Sequence, residues 1–330
     1  MKRRVICGTI LGTFLLVAGG WSAPGHRVIS RIALSLSGDT LPAWLLEADV
    51  VERIAYQSNE PDRWRGIDSA ALSDENNPDH YIDVELLDGH GLSLDTLPPV
   101  RYRFVAALAR TGEPEQDVAA FKSSRVGFLP YAIAEHHAKL VSSFNTLRVL
   151  EALDDPARGH QIEAARANIV REMGQLSHFV GDASQPLHTT IHHHGWVGDN
   201  PDRYTTEGSI HSRIDGKVVA LHALNEEALA PFVADAAEIE PGGAFEAGVA
   251  LITRSHAALE PLYVLERDGT LDGAEGRAFI AERLADGAAV LGGLYRAAWI
   301  ESEPTAEQIE LFGRYNSLGA EAEWRANKTP

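Results

Sequence analysis

The amino-acid sequence predicts an all-α fold in a single domain. Apolar residues return every three or four positions through a series of segments, no block of alternating apolar and polar residues marks a sheet, and no repeat or low-complexity linker divides the chain. Its 330 residues, 45% of them hydrophobic, suffice to bury a full core.

The elements follow in order. Residues 1–20 open with Lys2, Arg3 and Arg4, continue as an apolar run and close on Ala18, Gly19 and Gly20. That is the pattern of a secretory signal peptide, too short in its apolar part to span a bilayer, with the expected cut before Trp21. The domain expected to remain is 21–330, secreted or periplasmic. The segment 21–37 is expected to start with a short turn and enter a first helix carrying Val28, Ile29, Ile32, Ala33 and Leu36, and a second helix is expected over 41–54. Pro61 breaks the pattern in 58–66, 76–85 reads as a loop leading into an extended piece, and 88–99 is irregular. Helices are predicted over 101–110, 127–153 and 161–183. The segment 189–208 is a long loop rich in Gly, Asp and aromatic residues. Further helical pattern covers 219–230, 243–265, 274–299 and 305–327.

The formal charge is −18, and removing the three basic residues of the leader makes it −21. No basic face is available for docking on polyanions or anionic membranes, so a bound phosphate must be held by other means. The only cysteine is Cys7, inside the leader, so the remaining domain contains no disulfide.

The stretch 176–188, LSHFVGDASQPLH, concentrates the chemistry. On a helix, His178 and Asp182 leave the same face one turn apart. Pro186 cannot continue that helix, so the chain leaves it between Ala183 and Gln185 and carries His188 on the exit. Ile162, Ala165, Ile169, Met173, Leu176 and Val180 form a core-facing stripe whose border the His178 and Asp182 pair occupies. A carboxylate in that position needs a partner or a metal ion. Other His and Asp residues beside backbone breaks are His26, Asp62, His80 and the pair His211 and Asp215. The tandem His192, His193 and His194 cannot all point one way, and are expected with Trp196 at the rim of the cleft. Adjacent His136 and His137 diverge around their helix and are expected on a solvated face.

Three motifs together resemble the superfamily of zinc-dependent phospholipases C and single-strand nucleases: Trp21 followed five residues later by His26, the HFVGDxxQPLH block, and a later His-x3-Asp. The intervals of 5 and 23 residues and Asp215 resemble the nuclease branch, while HSRID also resembles the lipase branch. The missing disulfides point to a bacterial member. The resemblance implies a helical fold with three zinc ions at the bottom of a cleft. It assigns Asp62, His80, His178 and Asp182 to one ion and His188, His211 and Asp215 to a second. His26, a bridging Asp182 and the free amine and carbonyl of Trp21 go to the third.

For such a chain the expected reaction is hydrolysis of single-stranded DNA or RNA to products carrying 5′-phosphates, by a zinc-bound hydroxide. Asp62 is expected to orient that water or take its proton. Arg65 would steady charge on the phosphate. Tyr81 is matched to a base-stacking position and Asp83 to one that hydrogen-bonds the base edge. The alternatives are a zinc phospholipase C acting on lipid head groups and a metal-binding protein without turnover. No protein partner is implied, and a monomer is expected.

Overall fold

A computed structural model describes residues 21–111 and 126–315, and it is mostly helical. Among the described residues no strand forms; only two isolated bridges occur, Ile82 with Gly127 and His193 with Gly195. The leader at 1–20 and the end of the helix expected over 305–327 lie outside the described residues. None of the described helices is long and apolar enough to cross a membrane.

The helices are α1 (Ala23–Ser37), α2 (Ala48–Gln57), α3 (Glu60–Trp64), α4 (Ala70–Asn76), α5 (Arg101–Thr111), α6 (Leu129–Ala152) and α7 (Gly159–Ser184). After the long loop come α8 (Ile210–Ser212), a π-helical turn Arg213–Val218, α9 (Val219–Leu221) and α10 (Glu226–Leu229). The chain continues through α11 (Ala244–Ala257), α12 (Leu259–Arg267), α13 (Ala274–Glu301) and α14 (Ala306–Tyr315).

Four segments differ from expectation. The helix over 41–54 is interrupted, because Glu47 is extended between the 3-10 turn Ala43–Leu46 and α2. Pro61 does not break 58–66; it falls in the first turn of α3, where a missing N–H costs nothing. The stretch 219–230 splits into α9 and α10, with Asn225 accepting from the Ala228 N–H as a new N-cap. The run over 243–265 divides at Ala258 into α11 and α12.

Helix α7 is the centre of the molecule, packed by α1, α2, α6, α11 and α13. Its stripe residues Ile169, Met173, Leu176 and Val180 are fully buried, each contributing roughly 1.5–3 kcal/mol. From Gly174 to Ser184, however, every residue is buried, so His178 and Asp182 are enclosed on all sides and do not border solvent. A single amphipathic stripe reports one core contact; five neighbours leave no outer face.

Two glycines on α7 admit the neighbours that bring ligand atoms. A Cβ on Gly174 would lie 2.2 Å from the Gln57 Cβ and 2.8 Å from the Ile54 carbonyl, so its absence seats the end of α2 against α7. A Cβ on Gly181 would lie 2.5 Å from His26 Nδ1, so its absence seats α1. The helix ends at Ser184, as Pro186 predicts, and Gln185 accepts from the Leu187 N–H to start the 3-10 turn Pro186–Thr189 that carries His188.

Candidate metal centre

Ligand-type atoms converge where α1, α3, α7, the Pro186–Thr189 turn and the α8 to π-helical run meet. Three groups arise, each with its donor atoms within 4.8 Å of one another: His26, Asp62 and His178; His80, His178 and Asp182; and His188, His211 and Asp215. All eight of these side chains are ones the sequence singled out, and all but Asp62 are buried.

Asp182 is the hinge of the set. Its Oδ2 lies 3.0 Å from His80 Nδ1 and 3.3 Å from His178 Nε2, while its Oδ1 lies 3.4 Å from His26 Nε2. One carboxylate thus presents its two oxygens to two different donor groups. In the third group His211 Nε2 sits 3.1 Å from His188 Nε2 and 3.1 Å from Asp215 Oδ2. Asp62 Oδ1 lies 3.9 Å from His80 Nδ1, and its own close group is with His26 and His178. Zinc bonds of about 2.0–2.1 Å put two ligands of a tetrahedron about 3.3 Å apart. The observed 3.0–3.4 Å edges among His80, His178, Asp182 and His26 match that spacing.

Unsatisfied atoms lead the same way. His26 Nδ1 and Nε2, Asp62 Oδ1, Asp182 Oδ1, His211 Nδ1 and Asp215 Oδ2 are buried without a hydrogen-bond partner. His211 Nε2 and Asp215 Oδ2 are close but not aligned as donor and acceptor. Leaving so many polar atoms unpaired in one interior region is costly, and a shared cation satisfies them together. The donor set therefore fits divalent metal, with imidazole and carboxylate ligands of the type zinc uses.

Supporting contacts fix which ring nitrogen faces the centre. The Nδ1–H of His178 donates to the Ser58 carbonyl at 2.8 Å, and the Nδ1–H of His188 donates to the His80 carbonyl at 2.5 Å, so both rings direct Nε2 inward. Asn76 Nδ2 lies 3.2 Å from His80 Nε2 and donates to the Pro61 carbonyl, tying His80 to α3. Gln185 Nε2 donates to Asp215 Oδ1 at 2.7 Å. The π-helical turn that carries Asp215 widens the helix one turn after His211 while keeping the i, i+4 pair on one face. Sequence reasoning missed Ser58, Asn76 and Gln185; Asn76 four residues before His80, and Gln185 next to Pro186, were the available signals.

Charge follows burial. Burial drives His26 down to about 3, helped by His178, and His80 down to about 4, so both rings are neutral donors at pH 7. Burial and the neighbouring His188 hold His211 well below its usual value. Burial works against the charged forms of His178 and Asp182, but their mutual attraction wins: His178 is raised and Asp182 lies well below the carboxylate range. Asp215 is pushed well up, by burial first.

Trp21 is fully buried, its indole N–H donating to Ser184 Oγ at 3.0 Å. The next residue, Ser22, donates its N–H to the Asp215 carbonyl at 2.8 Å, which holds the start of α1 beside the third donor group.

A cleft of about 440 Å³ opens onto these groups, lined by His80, His188 and His211 at one side. Arg65, Tyr81, Asp83, His193 and His194 also line it, with Leu86, Leu187 and Ile191 supplying apolar wall. Arg65 Nη1 is 3.7 Å from Asp62 Oδ1; the surface partner of Glu60 is Arg63, at 2.7 Å. Asp83 is buried, and burial followed by the Glu85 charge pushes it up to about 7.

Two expectations fail here. His193 and His194 line the cleft as expected, but His192 and Trp196 do not: their rings stack at 3.9 Å, and Trp196 packs on Tyr204 of the loop and Tyr263 of α12, an aromatic cluster that seats the loop on that helix. His136 and His137 are buried, not solvated: His136 pairs with Glu172 at 3.0 Å and stacks on Phe179, and His137 faces Glu301 at 3.8 Å. Helix α6 is covered by α7, α11 and α13, so both sides of that dipeptide meet protein.

No protein-family model matches the chain, and no curated protein matches it.

Proposed function

We propose that the chain is a secreted zinc-dependent phosphodiesterase resembling the single-strand nucleases, with single-stranded nucleic acid or nucleotides as substrate. The observation that carries this reading is Asp182 sharing its two oxygens between two donor groups, behind a cleft whose wall holds the donors His80, His188 and His211 together with Arg65 and Tyr81. His80, His178, Asp182 and Asp62 would hold one ion, His188, His211 and Asp215 a second, and His26 with Asp182 a third. Removal of residues 1–20 supplies the Trp21 amine as a further ligand to that third ion.

Bound zinc brings a water pKa near 7 and polarises phosphate oxygens. The rest falls to side chains. Asp62, with an unpaired Oδ1 beside Arg65, accepts or orients the proton of the attacking water. Arg65, the one lysine or arginine lining the cleft among the described residues, binds non-bridging oxygens of the phosphate. Tyr81 stacks on a base, and Asp83 hydrogen-bonds its edge. Stacking and metal-held phosphate suit a protein whose net charge of −18 offers no basic track.

The test is a substrate panel of single-stranded DNA, RNA and phosphatidylcholine, with and without chelator, alongside a metal count. Chelator-sensitive cleavage of nucleic acid is expected. Activity on phosphatidylcholine alone replaces this reading with the phospholipase C one, for which the apolar wall of Leu86, Leu187 and Ile191 is the supporting feature; activity that survives chelation removes the metal altogether.

A further inference from the structure

We infer that His194 is a positioning residue for the third donor group, accepting the ring N–H of His211 so that His211 offers its other nitrogen to a metal. The inference rests on the metal reading above and adds a residue that the superfamily motifs do not include.

The starting point is His211 Nδ1, which is buried and has no hydrogen-bond partner. The rings of His178 and His188 each give Nδ1–H to a carbonyl, of Ser58 and of His80, leaving Nε2 for the centre. His211 turns Nε2 toward His188 and Asp215 in the same manner, yet its Nδ1 has no such acceptor. A neutral imidazole without an acceptor for one nitrogen is free to move its proton to the other, which removes the lone pair a metal needs.

His194 is the imidazole at the right range. Its ring centroid is 5.4 Å from that of His211, tilted by 49°. The two imidazole pairs that do meet nitrogen to nitrogen, His80 with His178 and His188 with His211, have centroids 4.8 and 5.0 Å apart. The inferred contact requires the His194 ring to come a few tenths of an ångström nearer and turn a nitrogen to His211. Among the described residues His194 makes no hydrogen bond of its own, and it lines the cleft at the solvent side. His193 is the poorer choice: its ring is 6.2 Å away and its Nδ1–H already donates to the Thr190 carbonyl at 3.0 Å.

The loop is built to hold this residue still. Glu85 accepts from Thr190 Oγ1 and from the Ile191 N–H, Tyr263 donates its hydroxyl to the His192 carbonyl, and the Trp196 N–H donates to the Thr205 carbonyl. The His193 and His194 pair thus sits on a braced segment, where lost rotamer freedom has been met before any ligand arrives. When His194 accepts from His211, its second nitrogen carries the proton and stands in the cleft wall as a donor to substrate.

The experiment measures zinc affinity of the purified protein by competition with a chromophoric chelator, for the native chain, His194→Phe, His194→Gln and His193→Phe. Thermal unfolding in chelator serves as the control for folding. His194→Phe keeps a ring and removes the acceptor, and a loss of ten- to a hundredfold in the affinity of one ion is expected. His194→Gln retains an acceptor oxygen and should stay within about threefold of the native chain, as should His193→Phe. Native-like affinity in His194→Phe, or equal losses in His194→Phe and His194→Gln, overturns the role of His194 alone. A native chain that binds no zinc overturns this inference together with the metal reading.

Discussion

Replacing Asp182 by Asn keeps the shape of the side chain and takes away the anion that two donor groups share. The carboxylate oxygens lie 3.0 and 3.3 Å from His80 and His178 on one side and 3.4 Å from His26 on the other. On the proposed metal reading, two ions lose a ligand in one substitution. An ion present at a thousand times its dissociation constant stabilises the fold by about 4.1 kcal/mol; if the substitution weakens binding a hundredfold, about 1.4 kcal/mol remains. Across two ions the loss is about 5 kcal/mol, on the order of 8 °C in Tm for a chain of this size. The assay is thermal unfolding of native and Asp182→Asn protein, with zinc and with chelator, beside a metal count by elemental analysis. The zinc-induced rise in Tm should shrink by that amount, two ions should be released when free zinc is dialysed down to a level at which the native protein still holds them, and the proposed phosphodiesterase activity should disappear. A variant that retains three zinc ions and a native zinc-induced rise refutes the shared-carboxylate argument.

Gly181→Ala puts a Cβ 2.5 Å from His26 Nδ1 and 3.0 Å from its Cε1. His26 is enclosed, stacked at 4.3 Å on His178, so it must be displaced; a cost of about 1–3 kcal/mol and loss of one ion are expected, checked by Tm and metal count. In metal-free protein, burial holds His26 at about 3 against an ordinary 6.5. The folded chain then binds fewer protons than the unfolded one below pH 6.5, so stability falls as pH falls, and the loss is complete only below about 3. By pH 4 that amounts to about 3 kcal/mol, which His26→Gln should not lose, read from urea unfolding of both proteins at pH 7 and pH 4. Arg65→Ala should lower kcat about 10²–10³-fold with the metal count unchanged, as expected for a group that meets charge on the phosphate. Tyr81→Ala should raise KM for single-stranded DNA by the ~1–3 kcal/mol of one stacked base, while Tyr81→Phe keeps the native value.

The sequence alone determined the helical class, the end of α7 at Ser184, and eight side chains that the fold gathers into three groups of donors. These were legible because they are local or strongly typed: helical spacing of apolar residues, a proline that stops a helix, and His and Asp residues placed beside breaks. The sequence also put His178 and Asp182 on one face, since that follows from four residues of helix. What it could not supply was depth. A stripe of apolar residues states which side of a helix meets protein but not how many neighbours surround it, so His178, Asp182, His136 and His137 were expected nearer to water than they are. Only the tertiary structure decided that Gly174 and Gly181 admit α2 and α1, that Ser58, Asn76 and Gln185 orient the donors, and that His192 and Trp196 turn inward onto Tyr204 and Tyr263 while His193 and His194 line the cleft. Each of those outcomes depends on atoms from segments far apart in the chain meeting at van der Waals distance, and periodicity along one segment carries no information about such meetings.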